Sequence, residues 1–265
     1  MELIKQLRKR LPQSGGSNLW QVIQRFLRVL RLPAVGRDRL ARILRENGLK
    51  VRKAKQRTVQ TTYSNHPYAV QPNRLKELEV TAPKQALVAD ITYVPIQGGN
   101  AYLFLITDAC SRYIAGYHLS SSLSHTGAIE ALEMALEKIP NPRGVIHHTD
   151  RGVQYCCHGF LDAISKWDMQ SSMTDGDHCA QNALAERMNG ILKQEFIFYN
   201  SFSSLESAQD TIHDAIFNYN HLRIHGSLKG KTPAEVHFGH DSALEIWAKE
   251  VYSFQMSQHP YHSNV

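Results

Sequence analysis

Apolar positions recur at helical spacing from Leu19 to Arg31, with Arg25, Arg28 and Arg31 on the other side of the repeat. After Pro33 and Gly36 the pattern returns over residues 37–48, where Leu40, Ile43 and Leu44 form a stripe among Arg37, Arg39, Arg42 and Arg45. Gly48 ends that helix. Residues 50–57 follow as an extended basic strip that includes Lys53. Two short helices around a turn, followed by basic residues, predict a small all-α helix-turn-helix region. Residues 58–85 carry Thr, Asn and Pro with little periodicity and read as a linker.

The texture then changes. Residues 87–96 alternate and are β-branched, Gly98-Gly99 turns, and residues 101–108 and 112–119 predict two more strands. Connections this short make an antiparallel meander. Residues 124–138 predict an amphipathic helix, 144–149 a fourth strand, 158–167 a helix and 169–173 a short fifth strand. Helices follow over about 181–198 and 203–221, and Thr232-Pro233-Ala234-Glu235 is a capping box that opens another. The order is that of an α/β fold with a mixed five-stranded sheet flanked by helices. The expected division is a basic helical region over 1–62, a linker over 63–84, a core over 85–200 and a helical extension over 201–265.

Charge sharpens this picture. Residues 1–86 hold 19 Lys and Arg against 5 Asp and Glu, a net of +14, whereas residues 87–265 hold 11 against 19, a net of −8. A basic arm on an acidic body points to a polyanion, and the interleaving of the arm's cations with helical apolar positions points to nucleic acid. A hydrophobic content of 42% supports a buried core. No unbroken apolar run approaches the roughly 18 residues of a membrane span, and the first residues lack a secretory h-region. Cys110, Cys156, Cys157 and Cys179 show no paired framework, so a cytoplasmic location with reduced thiols is expected.

The candidate chemistry lies in three acids. Asp90 stands in mid-strand between Val88 and Thr92, all three on one side. An aspartate within a β-branched strand is unfavourable unless bound to something. Asp150 ends the fourth strand in His148-Thr149-Asp150-Arg151-Gly152, and Glu186 follows with thirty-five residues between them. On a helical wheel Asn182, Glu186, Asn189 and Lys193 fall within roughly 60° of one another, opposite Leu184, Met188 and Ile191, with Leu192 to one side. Three carboxylates in one pocket repel, and divalent cations relieve that while leaving positions open for phosphates. His147-His148 with Cys156-Cys157-His158 superficially offers zinc ligands, but no CxxC is present. Asp108 reads as a strand-terminal turn residue, and no phosphate-cradling glycine motif occurs.

Asp90-Ile91-Thr92-Tyr93, His148-Thr149-Asp150-Arg151-Gly152-Val153-Gln154-Tyr155, Ser172-Met173-Thr174, the run from Asn182 to Glu195 and the run from Tyr219 to Leu228 stand in one order. In that order the chain resembles the second-reading-frame product of bacterial insertion-sequence transposases of the IS-three type, over roughly residues 36–238. The resemblance implies an RNase H-like integrase core in which Asp90, Asp150 and Glu186 are catalytic and bind two Mg²⁺ or Mn²⁺ ions for in-line phosphoryl transfer. It implies that Lys193, Asn182 and Arg187 contact DNA beside them, and that Arg37, Arg39, Arg42 and Lys53 belong to a DNA-binding region. Its implied partners are DNA at element ends and target, a first-reading-frame protein or a frameshift fusion to it, and further copies of the chain on DNA. The location it implies is the bacterial cytoplasm, at the nucleoid. Alternatives that the residues leave open are a nuclease of the same fold that hydrolyses without joining, and a non-catalytic DNA-binding repressor or domesticated element protein.

Overall fold

The chain begins with three helices: α1 (Glu2–Arg10), α2 (Gly16–Val29) and α3 (Arg37–Glu46). The computed structural model describes residues 1–51, 67–175, 182–198, 200–240 and 243–258. It divides into two units, residues 1–53 with 217–265, and residues 54–216. The buried positions of α2, namely Leu19, Val22, Ile23 and Phe26, keep the helical repeat expected of them. In α3, Leu40 and Leu44 are buried while Arg37, Arg39 and Arg42 are exposed. Gly48 follows α3 with φ +67°, a left-handed conformation that a side chain would strain. Trp20 Nε1 and Gln24 Nε2 both donate to the Val35 carbonyl, at 2.7 and 2.6 Å, and hold the turn between α2 and α3. Helix α1 is an addition to the expected elements, its Ile4 and Leu7 stripe being short and crowded by Lys5, Arg8, Lys9 and Arg10. Lys53 and the rest of the basic strip beyond Val51 lie outside the described residues.

The second unit is built on β1 (Ala86–Ile96), β2 (Gly99–Asp108), β3 (Ile114–Ser120), β4 (Ile146–Thr149) and β5 (Gln170–Met173). These strands form one five-stranded sheet in the order β3-β2-β1-β4-β5. The first three are antiparallel, and β4 and β5 add in parallel. This is the mixed five-stranded sheet expected from the element order, in the RNase H-like form that the family resemblance implies. Helix α4 (His125–Leu136) packs on one face with almost no space to spare. A Cβ on Gly116 of β3 would stand 2.0 Å from the Ala131 carbonyl oxygen, and one on Gly127 of α4 would stand 2.5 Å from the Phe104 ring. Helices α5 (Val153–Cys156) and α6 (His158–Lys166) share that side, with the His147 ring against Tyr155 and Phe160.

Helix α7 (Ala183–Leu192) takes the other face, where Ala185 packs with Ala86, Val88, Ala109 and Ile146. Within the stretch read as linker, Leu75, Leu78 and Val80 pack on the same cluster. Residues 71–76 are tied to β5 and its end: Arg74 N donates to Ser172 Oγ at 2.9 Å, and Lys76 pairs with Asp175 at 2.7 Å. A π-helical turn, Lys193–Ile197, continues α7, and α8 (Leu205–His221) carries the chain across the division between the units.

The chain then returns to its beginning. Helices α9 (Pro233–Phe238) and α10 (Ala243–Gln258) belong to the unit of α1–α3. The expected capping box is present, with Thr232 accepting from Glu235 N and Glu235 accepting from Thr232 N. Arg25 of α2 donates to both carboxylate oxygens of that same Glu235. Asn18 donates to the Ile224 carbonyl, and Trp247 of α10 meets Phe26 edge-on with ring centroids 4.9 Å apart. Among the described residues no helix is long and apolar enough to cross a membrane.

Candidate active site

Asp90 and Asp150 reach one neighbourhood through strand register. Parallel pairing of β1 with β4 sets Val88 opposite His148, and each acid lies two residues further on. Side chains two apart in a strand share a face, so Asp90 lies on the side of Val88 that carries α7, and Asp150, just past the end of β4, stands near enough for its charge to act on Asp90. Pairing of β1 with β4 ends at Val88, because β4 stops at Thr149. Just beyond that point Asn182 Nδ2 donates to the Ala89 carbonyl at 3.3 Å. Asn189 Nδ2, two turns along α7, donates to Asp90 Oδ2 at 2.6 Å. Ile91 N donates to the other Asp90 oxygen at 2.9 Å, and Gly152 N holds Asp150 Oδ1 at 2.9 Å.

The electrostatics follow from this crowding. Burial, the Asp150 charge and, more weakly, Glu186 raise the Asp90 carboxyl from 3.8 to about 7, against the hydrogen bonds from Asn189 and Ile91. Tyr155 is pushed well above its usual range by burial and by the same two aspartates. Burial lowers the Lys193 ammonium and the Asp90 charge opposes that shift, so Lys193 stands within electrostatic reach of the acid. The Lys193 Nζ lies 5.4 Å from the Phe198 ring centroid.

The polar arc of α7 is not uniformly exposed. Glu186 and Arg187 are exposed, but Asn182 and Asn189 are buried and Lys193 is half-buried. The reason is that β1 has unpaired backbone and a carboxylate to satisfy where β4 ends, and the two asparagine amides supply the donors. Both Asn182 Oδ1 and Asn189 Oδ1 are buried without a hydrogen-bond partner among the described residues. Asn189 carries a role that the wheel alone did not disclose, although its place one turn after Glu186 on the same arc was the available signal. Among the described residues no three His, Cys, Asp or Glu side chains stand together as a ready metal-ligand group.

The other candidates fall elsewhere. His147 is buried, with its imidazole lowered to about 3 by burial and the neighbouring His148, and His148 Nδ1 bonds Ser172 Oγ at 2.8 Å. Asp108 accepts from the backbone of Lys84, Cys110 and Ser111 and so organises the turn after β2. Cys110, Cys156 and Cys157 are free thiols, and Cys179 lies outside the described residues. Arg37 is exposed on α3 with its guanidinium 4.5 Å from the Trp20 ring centroid.

A mixed five-stranded sheet with an acid in its central strand and another at the end of the adjoining parallel strand defines an integrase-type core. Two models of the integrase core domain match the chain, over residues 80–179 and 168–233. The insertion element IS600 uncharacterized 31 kDa protein of Shigella sonnei is 38% identical over 202 residues, 76% of this chain and 74% of that one. Transposase InsF for insertion sequence IS3A of Escherichia coli (strain K12) is 33% identical over 198 residues, 74% and 68% of the two chains. The HTLV-2 integrase catalytic core domain, solved in complex with magnesium, aligns with a TM-score of 0.48 at 19% identity, covering 60% of this chain and 99% of that one. The chain belongs to the IS3 family of insertion-sequence transposases.

Proposed function

We propose that this chain cuts the ends of its insertion sequence and joins them to target DNA by metal-dependent in-line phosphoryl transfer. The observation that carries the reading is the register of β1 against β4, which leaves Asp90 and Asp150 two residues past the Val88–His148 pair and near enough for one charge to raise the other. Two carboxylates, one in β1 and one just past β4, the first half-buried and raised to about 7, fit a divalent cation, whose charge offsets the cost of ionising both. Asp90 and Asp150 would hold Mg²⁺ or Mn²⁺, with Glu186 the third ligand and a second ion completing the pair, as the family resemblance implies. Metal bound by these acids would supply Lewis-acid activation of water or a DNA 3′-hydroxyl and stabilisation of the leaving oxygen.

The chain's own residues prepare this chemistry. Asn189 and Ile91 N each bond one Asp90 oxygen and so set the carboxylate's rotamer. Gly152 N does the same for Asp150. Lys193 would place an ammonium beside the acids for a DNA phosphate, and Arg187 adds an exposed cation elsewhere on α7. Arg37, Arg39 and Arg42 on the exposed face of α3 are the proposed duplex contacts, with Lys53 following them in sequence. The active species is a homo-oligomer on DNA, assisted by a first-frame protein or carrying it as a fusion.

Strand transfer of labelled element ends with Mg²⁺ tests this, using the chain alone and fused to its first-frame segment. Asp90→Asn, Asp150→Asn and Glu186→Gln should each abolish joined products, and full joining by any of them would sink the assignment of that acid. The alternative reading is a non-catalytic DNA-binding protein. Binding indifferent to Mg²⁺, with no cleavage in any protein combination, would establish that reading instead.

A further inference from the structure

We infer that the loop at residues 224–231 and helix α2 together form a second DNA-backbone site, with Arg28, Lys229 and Lys231 as its phosphate contacts. A groove of about 570 Å³ lies between them, lined on one side by Trp20, Gln21, Gln24, Arg25 and Arg28 and on the other by Ile224, Lys229, Gly230, Lys231 and Glu235. The α2 lining is one stripe of that helix at spacings of three and four, opposite the buried Leu19, Val22, Ile23 and Phe26. From Trp20 to Arg28 it runs about 12 Å, or about three base-pair steps at 3.4 Å each, which suits a nucleic-acid strand better than a free phosphate.

The charge of the groove is one-sided. Its acid is Glu235, which is already engaged by both Arg25 nitrogens and by the capping box of α9. Arg28, Lys229 and Lys231 are exposed, and among the described residues none of them has an acid partner. The turn that presents the two lysines is tightly built. Gly230 N donates to the His225 carbonyl, Lys231 N to the Leu228 carbonyl, and His225 N back to the Lys231 carbonyl. Lys229 itself sits at φ 55°, the left-handed region where glycine or asparagine is the relaxed choice. Cationic side chains on a groove with amide groups between them are the recognised footprint of phosphate-backbone binding.

The site rests on the proposal that the chain acts on DNA, and the test separates the two. Affinity of the full chain for a labelled duplex is measured by fluorescence anisotropy across a salt series. Each of Arg28→Gln, Lys229→Gln and Lys231→Gln should lower the log–log salt slope by about 0.9, equivalent to roughly eightfold weaker binding at 0.1 M salt. Lys229→Gly should weaken binding by the same factor while raising the melting temperature, because it removes the charge and the backbone strain together. That pairing of effects distinguishes lost contact from lost folding. Lys166→Gln, on α6, should leave slope and affinity unchanged. Wild-type protein that fails to bind duplex with any salt dependence would overturn the DNA reading as a whole. Wild-type binding that survives Lys229→Gly with Lys231→Gln at full slope would overturn this site alone.

Discussion

Asn189 of α7 donates to Asp90 of β1 across 2.6 Å, so the helix that carries Glu186 is fastened to the strand that carries Asp90 by a bond to the acid itself. With the Ile91 N bond it sets the rotamer of Asp90, and with Asn182 and the packing of Ala185 it docks α7, the helix that carries Glu186, on β1. Groups that hold a metal's carboxylate ligands commonly tune affinity by one to two orders of magnitude.

Asn189→Ala should therefore reduce Mn²⁺ affinity by about 10- to 100-fold with the fold intact. Isothermal titration with Mn²⁺ reads the affinity directly, and circular dichroism checks the fold. Asn189→Gln, which keeps an amide on a longer side chain, should recover part of the loss. Unchanged Mn²⁺ affinity in Asn189→Ala would show that the amide serves packing only.

The metal-free protein should lose stability as pH rises. Asp90 is raised from 3.8 to about 7 in the folded chain, so the native state binds more protons than the unfolded one between those values. Its contribution is fully present below about pH 4 and is lost as pH climbs through 7, by up to about 4 kcal/mol at 1.36 kcal/mol per pH unit. Thermal melts at pH 5 and pH 8 without metal should show the decline, Asp90→Asn should flatten it, and Mg²⁺ should restore stability chiefly at pH 8. A decline of equal size in Asp90→Asn would assign it to other groups.

Gly116→Ala should be more damaging than Gly127→Ala. At Gly116 the new methyl meets the Ala131 carbonyl at 2.0 Å and the Ala135 nitrogen at 2.8 Å, which are helix backbone and cannot move without shifting α4. A cost of about 3 kcal/mol is expected. At Gly127 the obstacle is the Phe104 ring, a side chain that can turn, and the gain in helix propensity offsets part of the clash, leaving about 1 kcal/mol. Urea denaturation of the two variants gives the order, and the reverse order would contradict this packing of α4.

The first unit should weaken in acid through Glu235. Burial raises this carboxyl, but Arg25 and the Thr232 backbone outweigh it and leave Glu235 below its usual value. Such a group stabilises the fold above its unfolded value and stops doing so as pH falls through its folded one. Glu235→Gln should cost about 1.5–3 kcal/mol near pH 7, the range for hydrogen bonds to a charged group. The penalty should shrink toward pH 3, as denaturant midpoints at the two pH values would show. A penalty constant with pH would assign the effect to the capping box alone.

Much of the core was legible residue by residue. The alternation of residues 87–96 and the short Gly98 turn correspond to β1 and β2, and Ser124, the expected start of the next helix, caps α4. The capping box at Thr232 and the Gly48 terminus also stand where local chemistry puts them. Less legible were α1, whose apolar stripe is short, and the buried side of α7's polar arc. A helical wheel records angles about one axis, and polarity does not tell whether a polar arc meets water or a strand with unpaired groups.

What the sequence determined by itself was local: strand and helix periodicity, turn and cap residues, the charge division of the chain, and the acids Asp90, Asp150 and Glu186 with their spacing. Those features depend on side-chain alternation and short-range sterics, which act within a few residues. The tertiary structure decided the register that sets Val88 against His148, the docking of Asn182 and Asn189 on β1, and the return of Ile224–Glu235 to α2. Each joins residues 60 or more positions apart, from Val88–His148 to Arg25–Glu235. Such pairings are selected by the packing of whole elements and by the need to satisfy buried backbone and charge.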